Sequence, residues 1–166
     1  MSRLRIGLPA ALAILLIDQF SKWWMLEVLQ LDEVRHVPLM GIGPFRLDLT
    51  MVWNRGVTFG MLSGEGNWNH VALAVLAAAI CAFLLRWMVK AENRVVAVTL
   101  GAIIGGAIGN VIDRMRFGAV VDFIDTSAFD WHWYVFNVAD AAIVCGVVTL
   151  ILETLLRPAP QAKEPV

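Results

Sequence analysis

The sequence predicts an all-α membrane bundle of four transmembrane helices carrying a small extracytoplasmic β platform. Three observations predict it. Hydrophobic residues make up 59% of the chain and charged residues only 16%, against roughly 45–50% and 25% in soluble domains, and the mean hydropathy is +0.71. Four apolar runs, at about 6–26, 69–89, 95–112 and 135–156, each approach the ~20 residues that cross a bilayer as a helix. Between the first two, residues 31–66 are polar and rich in glycine, and 45–54 alternate apolar with polar side chains except at Val52, which is the period of a half-buried strand. The whole chain, 1–166, reads as one membrane domain.

The first run follows Arg3 and Arg5 and could pass for a secretory signal. Asp18-Gln19-Phe20-Ser21-Lys22 comes next, with no small-residue cleavage site, so a retained span ending at Trp23 and Trp24 is expected. Asp18 and Lys22 are four apart and share a helical face, either as a self-neutralising anchor or as a structural prop for a polar site. In the platform, 34–40 can pair with 45–54 across Gly41-Ile42-Gly43-Pro44 as a hairpin. Such a ribbon needs support from the bundle below it. Gly101, Gly105, Gly106 and Gly109 in the third run allow close helix contact. Residues 113–134 read as a connector, in which Trp131, His132, Trp133 and Tyr134 suit an interfacial belt. The tail, 157–166, carries prolines and is expected to be disordered.

Four spans put both termini on one side. Arg3, Arg5, Arg86, Lys90, Arg94, Arg157 and Lys163 fall there, seven cations against six on the other side, which also holds nine acids. The first group is packed into very short segments, so cytoplasmic termini are expected, with the platform and connector outside. A net charge of −1 without a basic cluster gives no footprint for nucleic acid. Cys81 and Cys145 lie in apolar runs and read as small buried hydrophobes.

The chemistry concentrates between Gly109 and Asp140. Carboxylates at a bilayer boundary are costly, yet Asp113, Asp122, Asp125, Asp130 and Asp140 all fall here. Asn110, Asp113 and Arg114 stand at i, i+3 and i+4, on one helical face at the end of the third run. Asn137 and Asp140 stand at i, i+3 near the start of the fourth. If those helix ends are neighbours, their polar faces converge. Asp113 also has Arg114 and Arg116 beside it as ion-pair partners. Asp122 sits in Val120-Val121-Asp122-Phe123-Ile124, where desolvation should raise its pKa, and a second carboxylate nearby would make the two share a proton. Aspartyl proteolysis uses such a pair.

Other chemistries fit less well. Ser21 and Lys22 are adjacent and point apart on a helix. Gly60-Met61-Leu62-Ser63-Gly64 misses the nucleophile-elbow spacing by one residue, and the three histidines show no H-E-x-x-H pattern. Asp125-Thr126-Ser127 lacks the glycine of soluble aspartic proteases and has no second copy. From residues alone, an intramembrane hydrolase and a proton-coupled small membrane carrier remain comparable, with a non-catalytic membrane protein as a third reading.

From Asp18 to about Ile143 the chain resembles the lipoprotein signal peptidase (signal peptidase II) family of intramembrane aspartyl proteases. The likeness is carried by Asp18-Gln19 with Ser21-Lys22, by Asn54-Arg55-Gly56-Val57-Thr58-Phe59-Gly60, by Gly106-Ala107-Ile108-Gly109-Asn110 with Asp113-Arg114, by Val120-Val121-Asp122-Phe123-Ile124, and by Phe136-Asn137-Val138-Ala139-Asp140. The family usually has two alanines where this chain has Val57 and Thr58. The resemblance implies a bacterial inner-membrane endopeptidase that removes the signal peptide from diacylglyceryl-modified prolipoproteins, cutting before the lipidated cysteine. It implies Asp122 and Asp140 as the catalytic pair, with Asn54, Gly56, Asn110, Arg114 and Asn137 supporting or binding substrate and Asp18, Lys22 and Asp113 as structural polar residues. It implies no metal and no organic cofactor. The expected partners are the lipid-modified signal peptide and membrane lipids, with the chain a monomer. Gly56, Gly60, Gly64 and Gly66 further suggest that part of the platform moves as a lid.

Overall fold

The computed structural model describes residues 3–56, 69–129 and 131–156. Four long helices and a four-stranded antiparallel sheet make up the fold. Helix α1 (Leu4–Trp23) runs on through a π-helical turn, Trp24–Val28, to the four-residue α2 (Leu31–Val34). Strands β1 (His36–Ile42) and β2 (Phe45–Asn54) follow, then α3 (Asn69–Val89), α4 (Arg94–Phe117), β3 (Val120–Ala128), β4 (Trp131–His132) and α5 (Val138–Leu156). Among the described residues, four helical stretches are long and apolar enough to span a membrane: Leu4–Val28, Val71–Val89, Arg94–Phe117 and Val138–Leu156. Their outer faces leave Leu12, Phe20, Phe83, Val144 and Leu155 exposed, as expected where lipid is the solvent.

Helix α4 is the centre, packed against α1, α3 and α5. Its glycines explain how. Gly101, Gly105 and Gly109 recur every four residues, and a Cβ on them would strike the Gly7 carbonyl, the Ala11 carbonyl and the Asp18 carboxylate of α1. On the other flank, a Cβ at Gly106 would lie 2.6 Å from the Ala139 carbonyl of α5. Backbone therefore meets backbone, the arrangement small residues allow in membranes. Gly105→Val is expected to lower the thermal unfolding temperature in detergent, at a cost near the upper end of the ~1–3 kcal/mol of overpacking, because the obstacle is backbone and cannot swing aside.

The ends of α4 are capped. Asn93 Oδ1 accepts from the Val96 N–H at 2.8 Å, as an N-cap does. Gly118, at φ +70°, closes the C-terminus in the left-handed conformation. Arg3 donates to the Ala91 and Glu92 carbonyls at 3.0 and 2.6 Å, which ties the start of α1 to the α3–α4 turn. The sheet lies at the opposite end of the bundle.

The expected hairpin is present, with Gly43-Pro44 as its turn and the register shift falling between Pro38 and Met40, where proline cannot donate to the ladder. Residues 120–128, read from sequence as connector, instead form β3, which pairs with β2 from Phe45↔Ala128 to Asn54↔Val120. The sheet order is β1-β2-β3-β4. An apolar stretch at 120–124, broken only by Asp122 and without alternation, hid this strand, and its partner is remote in sequence. Leu31, Leu49, Met51, Val121 and Phe123 form a second core, joined by Met25 and Leu26 from the π-helical turn after α1. That core seats the platform on the bundle. Asn110, Asp113 and Arg114 all lie inside α4, which continues to Phe117, and Asn137 immediately precedes α5.

Candidate active site

The site is built where α1, α4, β3 and the start of α5 meet. Helix α5 opens with Asn137 at its N-cap. Asn137 Oδ1 accepts from the Asp140 N–H at 2.9 Å, and Asp140 Oδ2 accepts in return from the Asn137 N–H at 3.3 Å. This reciprocal pair has the form of a capping box and fixes the direction of the Asp140 carboxylate. The next free backbone donor, the Ala139 N–H, reaches Asp18 Oδ1 on α1 at 3.0 Å. Two carboxylates thus sit at the positive end of α5, where anions are favoured.

Asp122 comes from β3 and is 1% exposed. Its Oδ1 accepts from Asn137 Nδ2 at 2.7 Å and its Oδ2 from Asn54 Nδ2 at 3.0 Å. Asp140 Oδ1 accepts from Asn110 Nδ2 at 2.8 Å. Asn137 Nδ2 also approaches Asn110 Oδ1 at 3.1 Å, so the amides of Asn110 and Asn137 link the two acids. Burial pushes the Asp122 carboxyl up to about 6, helped by the like charge of Asp140 and opposed by the Asn54 and Asn137 amides and by Lys22. Asp122 and Asp140 line one hollow of about 610 Å3 that runs along α5 past Ala141 to Val144 and Cys145. Cys145, read from sequence as buried, is exposed, whereas Cys81 is buried.

Behind the acids lies a buried ionic cluster. Lys22 Nζ contacts Asp18 Oδ2 at 2.8 Å and Asp113 Oδ2 at 2.7 Å, and donates to Asn110 Oδ1 at 3.1 Å. The expected Asp18–Lys22 pair is there. Asp113, however, pairs with Lys22 and with neither of its arginine neighbours, because the close α1–α4 approach brings the ammonium to it. Asp113 Oδ2 also accepts from the Val121 N–H at 3.2 Å, which ties α4 to β3. Arg114 Nη1 donates to the Asn110 carbonyl at 3.3 Å, and its guanidinium lies within electrostatic reach of Asp140, Asp122 and Asp113.

Gly56, at φ +86°, lets its N–H reach Asn54 Oδ1 at 2.9 Å. That contact orients the Asn54 amide so that its N–H group faces Asp122. Gly60, Gly64 and Gly66, and with them most of the suggested lid, fall outside the described residues. Gln19 was not singled out from sequence as a site residue. Its Nε2 donates to Asp113 Oδ1, Asp18 Oδ2 and the Gly109 carbonyl at 3.0, 3.2 and 3.3 Å. Only the approach of α4 reveals that role, and no spacing signal within α1 points to it.

Four apolar helices with a carboxylate pair at one end, held by asparagine amides, define a polytopic membrane protein equipped for acid–base chemistry. The sequence model of the family described as Signal peptidase (SPase) II matches residues 10–156. The chain is 49% identical to a lipoprotein signal peptidase of Methylorubrum extorquens (strain PA1), over 98% of this chain and 92% of that protein. It is 40% identical to one from Nitrobacter hamburgensis, over 99% and 100%. A bacterial membrane enzyme solved by the in meso method at 2.3 Å resolution superposes with a TM-score of 0.75 at 27% identity, covering 96% of this chain and 93% of that one. The chain belongs to the signal peptidase II family.

Proposed function

We propose that Asp122 and Asp140 are the catalytic pair of this bacterial membrane peptidase. The reaction is removal of the signal peptide from prolipoproteins, with an aspartic endopeptidase cutting before the diacylglyceryl-modified cysteine. The observation that carries the residue assignment is that two remote acids, one on a strand and one on a helix, line a single hollow and are joined through Asn110 and Asn137. The proton-coupled carrier finds no support among the relatives, which are peptidases.

Asp122, whose carboxyl is pushed up to about 6 by burial, is the acid of the pair that supplies a proton below that pH. Asp140 accepts from the Asn110 amide and from the Asn137 N–H at the positive end of α5, which aims it as the base. Each carboxylate oxygen has two lone-pair sites, so the amide donors leave room for water and substrate. Asp140 takes a proton from water as the water oxygen bonds to the scissile carbonyl carbon, and Asp122 donates its proton to the carbonyl oxygen. The tetrahedral intermediate collapses with cleavage of the C–N bond. The proton on Asp140 goes to the departing amine, and the hydroxyl proton returns to Asp122. Arg114 lowers the cost of placing two acids together. Both acids and the amides that hold them come from one chain, which supports a monomer. The packed cations at the other end of the bundle support cytoplasmic termini, an inner-membrane location and a site near the periplasmic face. The apolar trench along α5 suits acyl chains or the signal helix entering from the lipid.

Since the folded pKa of Asp122 lies above its ordinary value, its proton is present below about pH 6 and lost above it. kcat/KM should therefore fall as pH rises through that region. Asn54→Ala removes an amide that favours the charged form, so the alkaline limb should move to higher pH. A limb unmoved by Asn54→Ala would sink the assignment of that limb to Asp122. For the assignment of the pair, the test is cleavage of a lipidated prolipoprotein by the two Asp→Asn variants.

A further inference from the structure

Beside the apolar trench lies a second hollow of about 680 Å3, lined by Trp53, Asn54, Arg55, Asp122, His132 and Trp133 among others. The two share Asn54, Asp122, Trp133, Tyr134 and Val135, so Asp122 stands where they meet. The trench descends α5 and, among the described residues, carries no cation along its lining. The second hollow leads to the end of β2, outside the spanning helices, and contains Arg55 and His132. His132 is already placed 3.7 Å from Asp125. Arg55 is exposed, forms no side-chain hydrogen bond or ion pair among the described residues, and is not among the groups acting on the Asp122 charge. Among the described residues, its guanidinium is the one fixed cation on the lining of either hollow that no carboxylate uses.

A substrate bound across Asp122 must divide between the two. Its apolar signal segment suits the trench, and the polar chain that follows the lipidated cysteine must leave towards water through the second hollow. Resting on the reading of Asp122 as catalytic, we propose that Arg55 is a specificity-determining residue that favours acidic side chains, and disfavours basic ones, in the first residues after the lipidated cysteine. An exposed guanidinium paired with a substrate carboxylate is worth up to ~1 kcal/mol, and repulsion of a lysine adds to the difference, so discrimination of about fivefold is expected.

The test uses the full-length enzyme in a neutral detergent and lipidated peptides that differ only at the two positions after the modified cysteine, carrying Asp, Ser or Lys. The expected order of kcat/KM is Asp above Ser above Lys, with an Asp-to-Lys ratio of about five at low salt that shrinks towards one at about 1 M salt, where the screening length is ~3 Å. Arg55→Gln should bring the ratio to about one and Arg55→Glu should invert it. Because the ratio is taken within one preparation, differences in the amount of folded protein cancel. A wild-type ratio of one, or a ratio untouched by Arg55→Glu, overturns the proposal. Cleavage that survives Asp122→Asn would instead overturn the catalytic reading beneath it.

Discussion

Asp122→Asn and Asp140→Asn should each reduce cleavage of a lipidated prolipoprotein by about 10^3-fold or more, at the upper range for losing a general acid or base, while the protein remains folded in detergent. On the proposed mechanism each replacement removes a group that must both hold and release a proton, and the amide left behind does neither. The effects should not add. The double variant should be about as slow as either single one, as for residues that act as a unit. Asp140 sits in the capping interaction of α5, but asparagine keeps an oxygen that can accept from the Asn137 N–H, so the helix start should survive. Rates measured beside thermal unfolding curves separate the outcomes. A folded variant that still cleaves at more than about a tenth of the wild-type rate would remove that aspartate from the mechanism.

The second large effect is expected at Lys22. Its ammonium is 3% exposed and serves two carboxylates, Asp18 at 0% and Asp113 at 1%. Lys22→Met would leave both acids buried without their cation, and breaking a buried pair in this way costs about 3–5 kcal/mol. Activity should fall with stability, because Lys22 also holds Asn110 Oδ1, and Asn110 presents its amide to Asp140. The combination Lys22→Met with Asp113→Asn should recover part of the lost unfolding temperature, since one of the stranded charges is gone. If Lys22→Met unfolds at the wild-type temperature, the cluster is not a structural keystone.

Much of this architecture was legible because membrane helices announce themselves by length and composition. The glycines of α4 could be read as contact points from their spacing, and Asn110 with Asp113, and Asn137 with Asp140, as shared helical faces. Periodicity cannot state which helix faces which. The salt partner of Asp113 therefore went to its neighbours in sequence, when tertiary approach supplies Lys22 from α1. Strand β3 escaped for a related reason. Val120-Val121-Asp122-Phe123-Ile124 has no alternation because both of its sides are covered, and its ladder partner lies on β2, on the far side of α3 and α4 in sequence. Asp122 itself was visible as an acid in apolar surroundings. Its pairing with Asp140 was implied by family likeness, and residues alone left proteolysis level with transport.

The aim of Asp140 depends on the opening turn of α5 and on the amide that α4 offers it. On the proposed reading of Asp140 as half of the catalytic pair, a chain whose α5 has not yet docked against α4 has no working blade. On that reading hydrolytic competence waits on this docking, and half-assembled copies stay harmless to the other helices threading the same bilayer.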